Sequence, residues 1–480
     1  MTILELLVLL SETLAFAWML FPVHSESNRT TYWRVLLAGV AAALSALHLM
    51  VAGYRWEMIP AYLAATLLLV QAALKTPRFV PRLAAAAGLM LVAAAIVLTN
   101  FRPIFRLPAP GGSFAIGTIN VHLIDRSRHE RADPRSSREL MVQIWYPADR
   151  DAIGARASYL PYSPESFRSA HLKFVRTHAI AGAPMASALP QYPVLLYSPS
   201  WRGVRYEDTF LVESLASHGY VVACIDHPYG SSSVSFPDGR VIRADNASFL
   251  DLSSESTFET GMRVLREEVR VRAEDARFVL DQLAGWNLAG RASLGADSNP
   301  LFRNRLDISR AGMFGFSFGG AVSAEACWMD PRFRACMNMD GTLVGDVAEH
   351  GMEQPYLYIE EKSDLPSAAD LASNVASVRL TAMMAARDNL LADRYASYHV
   401  ILAGTHHMNF SDIPLYCPLR QITHAGPIDP LRAMRIIKDY ARAFFGKHLQ
   451  GRAEPLLDGH STEYPEVEFR KGRDAMVRSR

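Results

Sequence analysis

Gly315-Phe316-Ser317-Phe318-Gly319 is the stretch whose residue types and spacing most directly suggest chemistry. A serine hydroxyl is a weak nucleophile at neutral pH and gains reactivity when a histidine, steered by a carboxylate, takes its proton. The GxSxG spacing suits that task. A serine presented on a sharp turn from strand to helix leaves no room for neighbouring side chains, and flanking glycines remove the clash. The context agrees: "ISRAGMF" before the motif is an apolar-ended strand candidate, and "AVSAEACWM" after it is made of small, helix-compatible residues. Ser317 is the candidate nucleophile, and the chemistry implied is attack on an acyl carbon.

Its partners must follow it in the chain, the acid at a strand end and the base in a late loop. Asp340 in "CMNMDG" closes the next strand candidate and is followed by Gly341, while Glu360, Glu361 and Asp364 end the one after. Spacing leaves these four open. "AGTHHMNFSDIP" offers His406 and His407, which as neighbours point different ways, so one is the base candidate and the other lines or supports the site. His48, His218 and His227 precede the serine and do not fit the order. This chemistry requires no metal and no cofactor.

The elements that position these residues are legible from about Phe114 onward. "FAIGTINVHLI", "ELMVQIWYP" and "YPVLLYSPS" read as early strands, and "YVVACIDHP" is a nearly continuous apolar run expected of a strand covered on both faces. Residues 259–284 place Met262, Leu265, Val269, Ala276, Val279, Leu280 and Leu283 at mostly helical spacing. "ISRAGMFGFS", "FRACMNMDG", "PYLYIEEKS" and "YHVILAGTHH" follow as strands, and "PLRAMRIIKDYARAFFGKHL" closes the series as an amphipathic helix. Such alternation predicts an α/β class with a mostly parallel sheet flanked by helices, whose function sits at the carboxyl ends of the strands. Residues 151–190, rich in Ser, Ala, Pro and Tyr, interrupt the series as a cap or a surface excursion.

Residues 1–101 are different. Apolar runs at about 6–22, 35–53, 59–74 and 83–101 approach the roughly 20 residues that span a bilayer. A cleaved signal peptide accounts for the first run alone, so an all-α, four-helix transmembrane region is expected, followed by a catalytic domain over 102–480. Glu12, His48 and Gln71 are the polar residues at membrane depth, where interhelical hydrogen bonds can satisfy them. Lys75, Arg78 and Arg82 in the third link and Arg29 and Arg34 in the first outnumber Arg55 in the second, although Arg102 and Arg106 pull the other way. The expected location is the plasma (inner) membrane with the catalytic domain on the extracytoplasmic side.

Composition narrows the field. A net charge of +1 from 49 basic and 48 acidic residues offers no footprint for nucleic acid. The four cysteines, Cys224, Cys327, Cys336 and Cys417, lack metal-site spacing and read mainly as small buried hydrophobes.

"GFSFGG", "MNMDG" and "GTHHMNFSD", together with "YSPSWRG", "LASHGYVVACIDHPYGSS" and "RELMVQIWYPA", resemble the platelet-activating-factor acetylhydrolase family of α/β-hydrolases, which includes dienelactone-hydrolase-like esterases. The likeness runs from about Gly117 to Gly446 and leaves out the membrane region. It implies an α/β-hydrolase fold and a triad of Ser317, Asp340 and His407, the histidine standing three residues before Phe410. It also implies an oxyanion hole from the backbone N–H groups of Phe318 and Trp201. One departure is that Pro199-Ser200 stands where the family commonly has His-Gly. The implied activity is hydrolysis of carboxylic esters, with small-molecule or lipid esters, including short-chain or oxidised phospholipid acyl esters, as substrates. A serine peptidase, an acyltransferase or a non-catalytic binding protein would use the same scaffold.

Overall fold

The computed structural model describes residues 2–20, 28–74, 80–160, 167–244, 254–288, 299–362 and 366–472. The chain divides into two compact units, one of Met1–Arg106, Ser158–Arg176 and Leu415–Thr423, the other of Leu107–Ala157, Thr177–Pro414 and His424–Arg480.

In the larger unit the strand candidates form as expected. The strands are β1 (Ala115–His129), β2 (Ser137–Ala148), β3 (Arg156–Ser158), β4 (Arg176–Ala181), β5 (Tyr192–Ser198), β6 (Val221–Asp226), β7 (Ser233–Ser235), β8 (Val241–Arg243), β9 (Leu306–Phe316), β10 (Phe333–Met339), β11 (Tyr356–Glu361), β12 (Tyr398–Leu402) and β13 (Val467–Lys471). Among the described residues, eleven make one sheet in the order β13-β12-β11-β10-β9-β5-β6-β2-β1-β4-β3, and β7 pairs with β8 separately. From β6 to β12 every neighbouring pair is parallel, as is β1 with β4, whereas β1–β2, β2–β6 and β12–β13 are antiparallel. This mixed, mostly parallel sheet with flanking helices is the α/β-hydrolase architecture.

Those helices are α5 (Thr209–Ser217), α6 (Glu255–Leu288), α7 (Phe318–Met329), α8 (Val347–His350), α9 (Ala368–Leu371), α10 (Ala376–Tyr395) and α12 (Pro430–Gln450), with α11 (Arg420–Thr423) in the smaller unit. Side-chain alternation along β5 separates the two faces of the sheet. Val194 and Leu196 join a core with Val269, Ala273 and Leu280 of α6 and Ala321 and Val322 of α7. Tyr197 points the other way, its ring 5.1 Å from Phe314, which lies 6.1 Å from Phe445 of α12. Helix α12 starts with Asp429 accepting from the Arg432 N–H and Pro430 in the first turn, and stops at Gly451 with φ 66°.

The short strands β3, β4 and β13 escape sequence reading, and the two at the sheet edges, β3 and β13, do so for one reason. A strand of three to six residues at a sheet edge buries too little to impose a clean alternation, as in "VEFRK", where Glu468 and Arg470 are exposed. Cys327 of α7 and Cys336 of β10 are paired as a disulfide, while Cys224 and Cys417 are free and buried.

In the smaller unit, α1 (Ile3–Leu20), α2 (Asn28–Val51), α3 (Ile59–Ala73) and α4 (Val80–Phe101) take up the four apolar runs. The stretches Ile3–Leu20, Tyr32–Val51, Trp56–Ala73 (α3 with the helical turn before it) and Pro81–Phe101 are long and apolar enough to cross a membrane. Small buried residues, among them Ala41, Ala61, Ala64, Ala85 and Ala95, let the helices approach closely. Glu12 lies 3.5 Å from the Ser45 hydroxyl, and His48 Nδ1 is 2.9 Å from Tyr62 Oη. Arg55 is no open loop charge: it is 2% exposed, bound to Glu5 at 2.5 Å and Glu57 at 3.3 Å, and it donates to the carbonyls of Thr99 and Arg102. In the same unit, Tyr159 and Tyr416 meet hydroxyl to hydroxyl at 2.7 Å, and Lys173 donates to the Tyr54 carbonyl at 3.0 Å.

Candidate active site

Ser317 sits between the end of β9 and the start of α7 with φ 54° and ψ −123°, a backbone conformation that L-residues rarely hold. The surroundings enforce it. The Ser317 N–H donates to Met339 O at 2.7 Å, and Ser317 O accepts from Gly320 N at 2.9 Å. A Cβ on Gly319 would stand 1.9 Å from Ser198 O, and one on Gly315 would stand 2.1 Å from Gly319 O. The motif's glycines are therefore demanded by close backbone approach. Gly341 has the same reason, since a Cβ there would lie 1.9 Å from Ser317 O. Asn338 locks this corner, accepting from Gly341 N at 2.9 Å and donating to Gly341 O at 2.7 Å.

Three of the expected residues come together in one line. His407 Nε2 is 2.9 Å from Ser317 Oγ, and His407 Nδ1 is 2.5 Å from Asp340 Oδ2. Asp340, itself at φ 57°, is fixed from behind: its N–H donates to Ile359 O at 2.7 Å, and its Oδ1 accepts from Glu361 N at 2.9 Å. With Asp340 as carboxylate, the network assigns the proton to Nδ1 and leaves Nε2 to accept from the serine. Burial disfavours the imidazolium of His407, but the Asp340 hydrogen bond and the charges of Asp340, Glu361 and Glu207 outweigh it and raise its pKa above the ordinary value. The His407 side chain is 39% exposed against 9% for Asp340, so the imidazole faces the solvent side and the carboxylate is shielded.

The loop that carries His407 is tied down by the rest of "HHMNFSD". Asn409 Oδ1 accepts from His406 N at 2.8 Å and Gly426 N at 2.6 Å, and the Asp412 carboxylate accepts from Thr209 N and Phe210 N at the start of α5. His406 is exposed. Of the other acids, Glu360 is bound to His399 at 2.6 Å, Glu361 reaches Asp340 through its backbone, and Asp364 lies outside the described residues.

The two expected oxyanion donors lie on adjoining segments. Phe318 N opens α7, where the first N–H groups have no intrahelical acceptor. Trp201 follows β5, its indole 4.9 Å from the Phe318 ring in an edge-to-face contact. In place of the family's His-Gly, Ser200 is clamped by buried Glu207, which accepts from its N–H at 3.0 Å and its hydroxyl at 2.7 Å. Burial raises the pKa of Glu207, partly opposed by those two hydrogen bonds.

Sequence reasoning misses a second Ser–His–Asp line. Ser198 Oγ is 3.0 Å from His227 Nε2, and His227 Nδ1 is 2.8 Å from Asp275 Oδ2, all three fully buried. Arg138 and Arg128 hold Asp275, and burial lowers the His227 pKa to about 4, so the imidazole stays neutral. This line has no opening for a substrate; it ties the end of β5 to α6. Arg272 of α6 is likewise fully buried and bonds the backbone carbonyls of Ser200 and Gly230. A signal for both existed in the sequence. Arg272 falls on the helix stripe Leu265, Val269, Ala276, Val279, Leu283, and Asp275 lies four residues before Val279, so both charges sit on or beside an apolar face.

Comparison with known proteins gives the family. A family model described as platelet-activating factor acetylhydrolase, isoform II, matches residues 106–456. An Arthroderma benhamiae protein named "Probable 1-alkyl-2-acetylglycerophosphocholine esterase" is 28% identical over 409 residues, covering 76% of this chain and 94% of that protein. The platelet-activating factor acetylhydrolase of Bos taurus is 24% identical over 373 residues, covering 72% of this chain and 77% of that one. Among solved structures, a ferulic acid esterase from Streptomyces cinnamoneus superposes with a TM-score of 0.59 at 30% identity, covering 77% of this chain and all of that one. The matched segment contains the Ser317 elbow, Asp340 and His407 alike, and by that match the chain belongs to the platelet-activating factor acetylhydrolase family.

Proposed function

We propose that this chain is a membrane-anchored serine esterase in which Ser317 is the nucleophile, His407 the base and Asp340 the orienting acid. The observation that carries the reading is the unbroken hydrogen-bonded line from Ser317 Oγ through His407 to Asp340. Ser317 Oγ attacks the ester carbonyl as His407 Nε2 takes its proton. The tetrahedral oxyanion is held by the N–H groups of Phe318 and Trp201. His407 then returns the proton to the leaving alcohol. Water, activated by His407, attacks the acyl-serine and releases the acid, with Asp340 stabilising the imidazolium at each stage.

The substrates proposed are carboxylic esters with lipid character, phospholipids carrying a short or oxidised acyl chain first among them. The names of the Arthroderma benhamiae and Bos taurus relatives support this, and four helices suited to a bilayer would keep the enzyme where such esters reside. The catalytic domain is proposed to face the extracytoplasmic side, a reading supported by the excess of Lys and Arg in the first and third links.

Replacing Ser317 by alanine tests the reading. The variant should lose hydrolysis of p-nitrophenyl acetate and of 2-acetyl phosphatidylcholine, together with fluorophosphonate labelling, at an unchanged thermal midpoint. Labelling that survives in Ser317→Ala would remove the proposal. A wild-type preference along an ester chain-length series would name the acyl group.

A further inference from the structure

Arg272 is 0% exposed, yet its guanidinium is spent on the backbone of the loop that holds one oxyanion donor. Nη1 donates to Ser200 O at 3.1 Å and Pro199 O at 3.4 Å, and Nη2 donates to Gly230 O at 3.0 Å. Nε is bonded to Glu268 Oε1 at 3.0 Å, which fixes the plane of the fork. The same guanidinium lies 5.8 Å from the Trp201 ring centre and 5.0 Å from that of Phe318, the two residues whose N–H groups are the proposed oxyanion donors.

A trans peptide points its C=O and the following N–H in opposite directions, and no cis peptide occurs among the described residues. Pulling Pro199 O towards Arg272 turns Ser200 N–H away, and it meets Glu207 at 3.0 Å. Pulling Ser200 O the same way turns Trp201 N–H away from Arg272. That N–H has no acceptor among the described residues. The turn is closed by Gly203 N donating to Ser200 O at 2.9 Å, with Arg202 at φ 60°. We infer that Arg272 is the positioning residue of the oxyanion hole, orienting the Ser200–Trp201 peptide from below while its cation face braces Trp201 against Phe318. Arg272 does this work from a distance, without touching substrate. Lysine would not replace it, because an ammonium cannot hold three carbonyls and a carboxylate in one plane.

The inference rests on the esterase reading, so the full-length protein in detergent is assayed with p-nitrophenyl acetate beside Ser317→Ala. Active sites are counted by the fluorophosphonate end point, and kcat is expressed per titrated site so that misfolded protein drops out. Arg272→Gln should lower kcat by about a hundredfold, the scale of one misaligned or lost oxyanion donor, at unchanged KM. Arg272→Lys, which keeps the charge opposite Glu268, should fold like wild type and still lose kcat, though less. Wild-type kcat per titrated site in Arg272→Lys would overturn the inference, as would a loss confined to KM in either variant. Wild-type protein with no esterase activity, or activity that persists in Ser317→Ala, would strike the esterase reading instead, and the two failures remain separate.

Discussion

His407 accepts a proton only when neutral, and its environment decides at what pH that holds. Burial works against its charged form, while Asp340, Glu361 and Glu207 favour it strongly enough to raise the pKa. The acid limb of kcat/KM should therefore lie above the pH of an ordinary histidine: activity is full above the raised pKa and is lost as pH falls through it. Asp340→Asn should move the limb to lower pH and reduce kcat on the order of ten-thousandfold, since the amide favours the wrong tautomer. Glu361→Gln keeps the backbone bond to Asp340, so it should move the limb the same way by a smaller amount and leave the plateau nearly intact. A pH–rate profile of the three proteins decides the matter; a Glu361→Gln plateau as low as that of Asp340→Asn would transfer the acid role. At this scale Ser317 was legible because GxSxG states a geometric need in residue types. The choice of acid was not legible from spacing alone, since Asp340 and Glu361 end neighbouring parallel strands and differ only in which side chain reaches His407. Chain order did separate His407 from His227, although the latter sits in a hydrogen-bonded line of the same composition.

The strand–turn–helix element around Ser317 tolerates almost no added volume. Gly319 faces Ser198 O, Gly315 faces Gly319 O and Gly320 faces Asn338 Oδ1, each nearer than a Cβ can approach. Since the obstacle at Gly319 is backbone, no side-chain rotation relieves it. Gly319→Ala should push β5 and α7 apart, lowering stability by about 1–3 kcal/mol or more and displacing the oxyanion donors. Thermal melts with and without fluorophosphonate would show it, and a Gly319→Ala protein with wild-type midpoint and rate would contradict the packing described. Elements buried on both faces, such as β5, β6 and β9 with α7, were legible because their apolar runs are long. Helix α6 was legible only in its apolar positions: Arg272 and Asp275 read as polar interruptions, and it takes the tertiary fold to bring Ser200 and Ser198 within reach of them. Ser200 lies 72 residues from Arg272, and Asp275 reaches Ser198 only through His227, separations over which local pattern carries no information.

At the scale of the whole molecule, the sequence and the helical unit bear jointly on which side of a membrane the esterase faces. Links one and three carry Arg29, Arg34, Lys75, Arg78 and Arg82, five cations, against Arg55, Arg102 and Arg106, three, on the opposite side. The structure sharpens that count, because Arg55 is buried between Glu5 and Glu57 and presents no charge to lipid headgroups. Positive links tend to stay in the cytoplasm, and the proposed orientation accordingly has the domain that carries Ser317 outside it. The prediction is that alkaline phosphatase fused after Gly472 is active in a bacterial host while a green fluorescent protein at the same point is dark. Arg55→Gln should leave that orientation unchanged, because the charge it removes was already neutralised, and should lower the thermal midpoint by leaving Glu5 and Glu57 buried without their cation. Replacing Lys75, Arg78 and Arg82 together by glutamine should weaken the bias and give a mixed population in the paired reporters. A fluorescent fusion and an inactive phosphatase in the wild-type chain would reverse the orientation and move the esterase to the cytoplasmic leaflet.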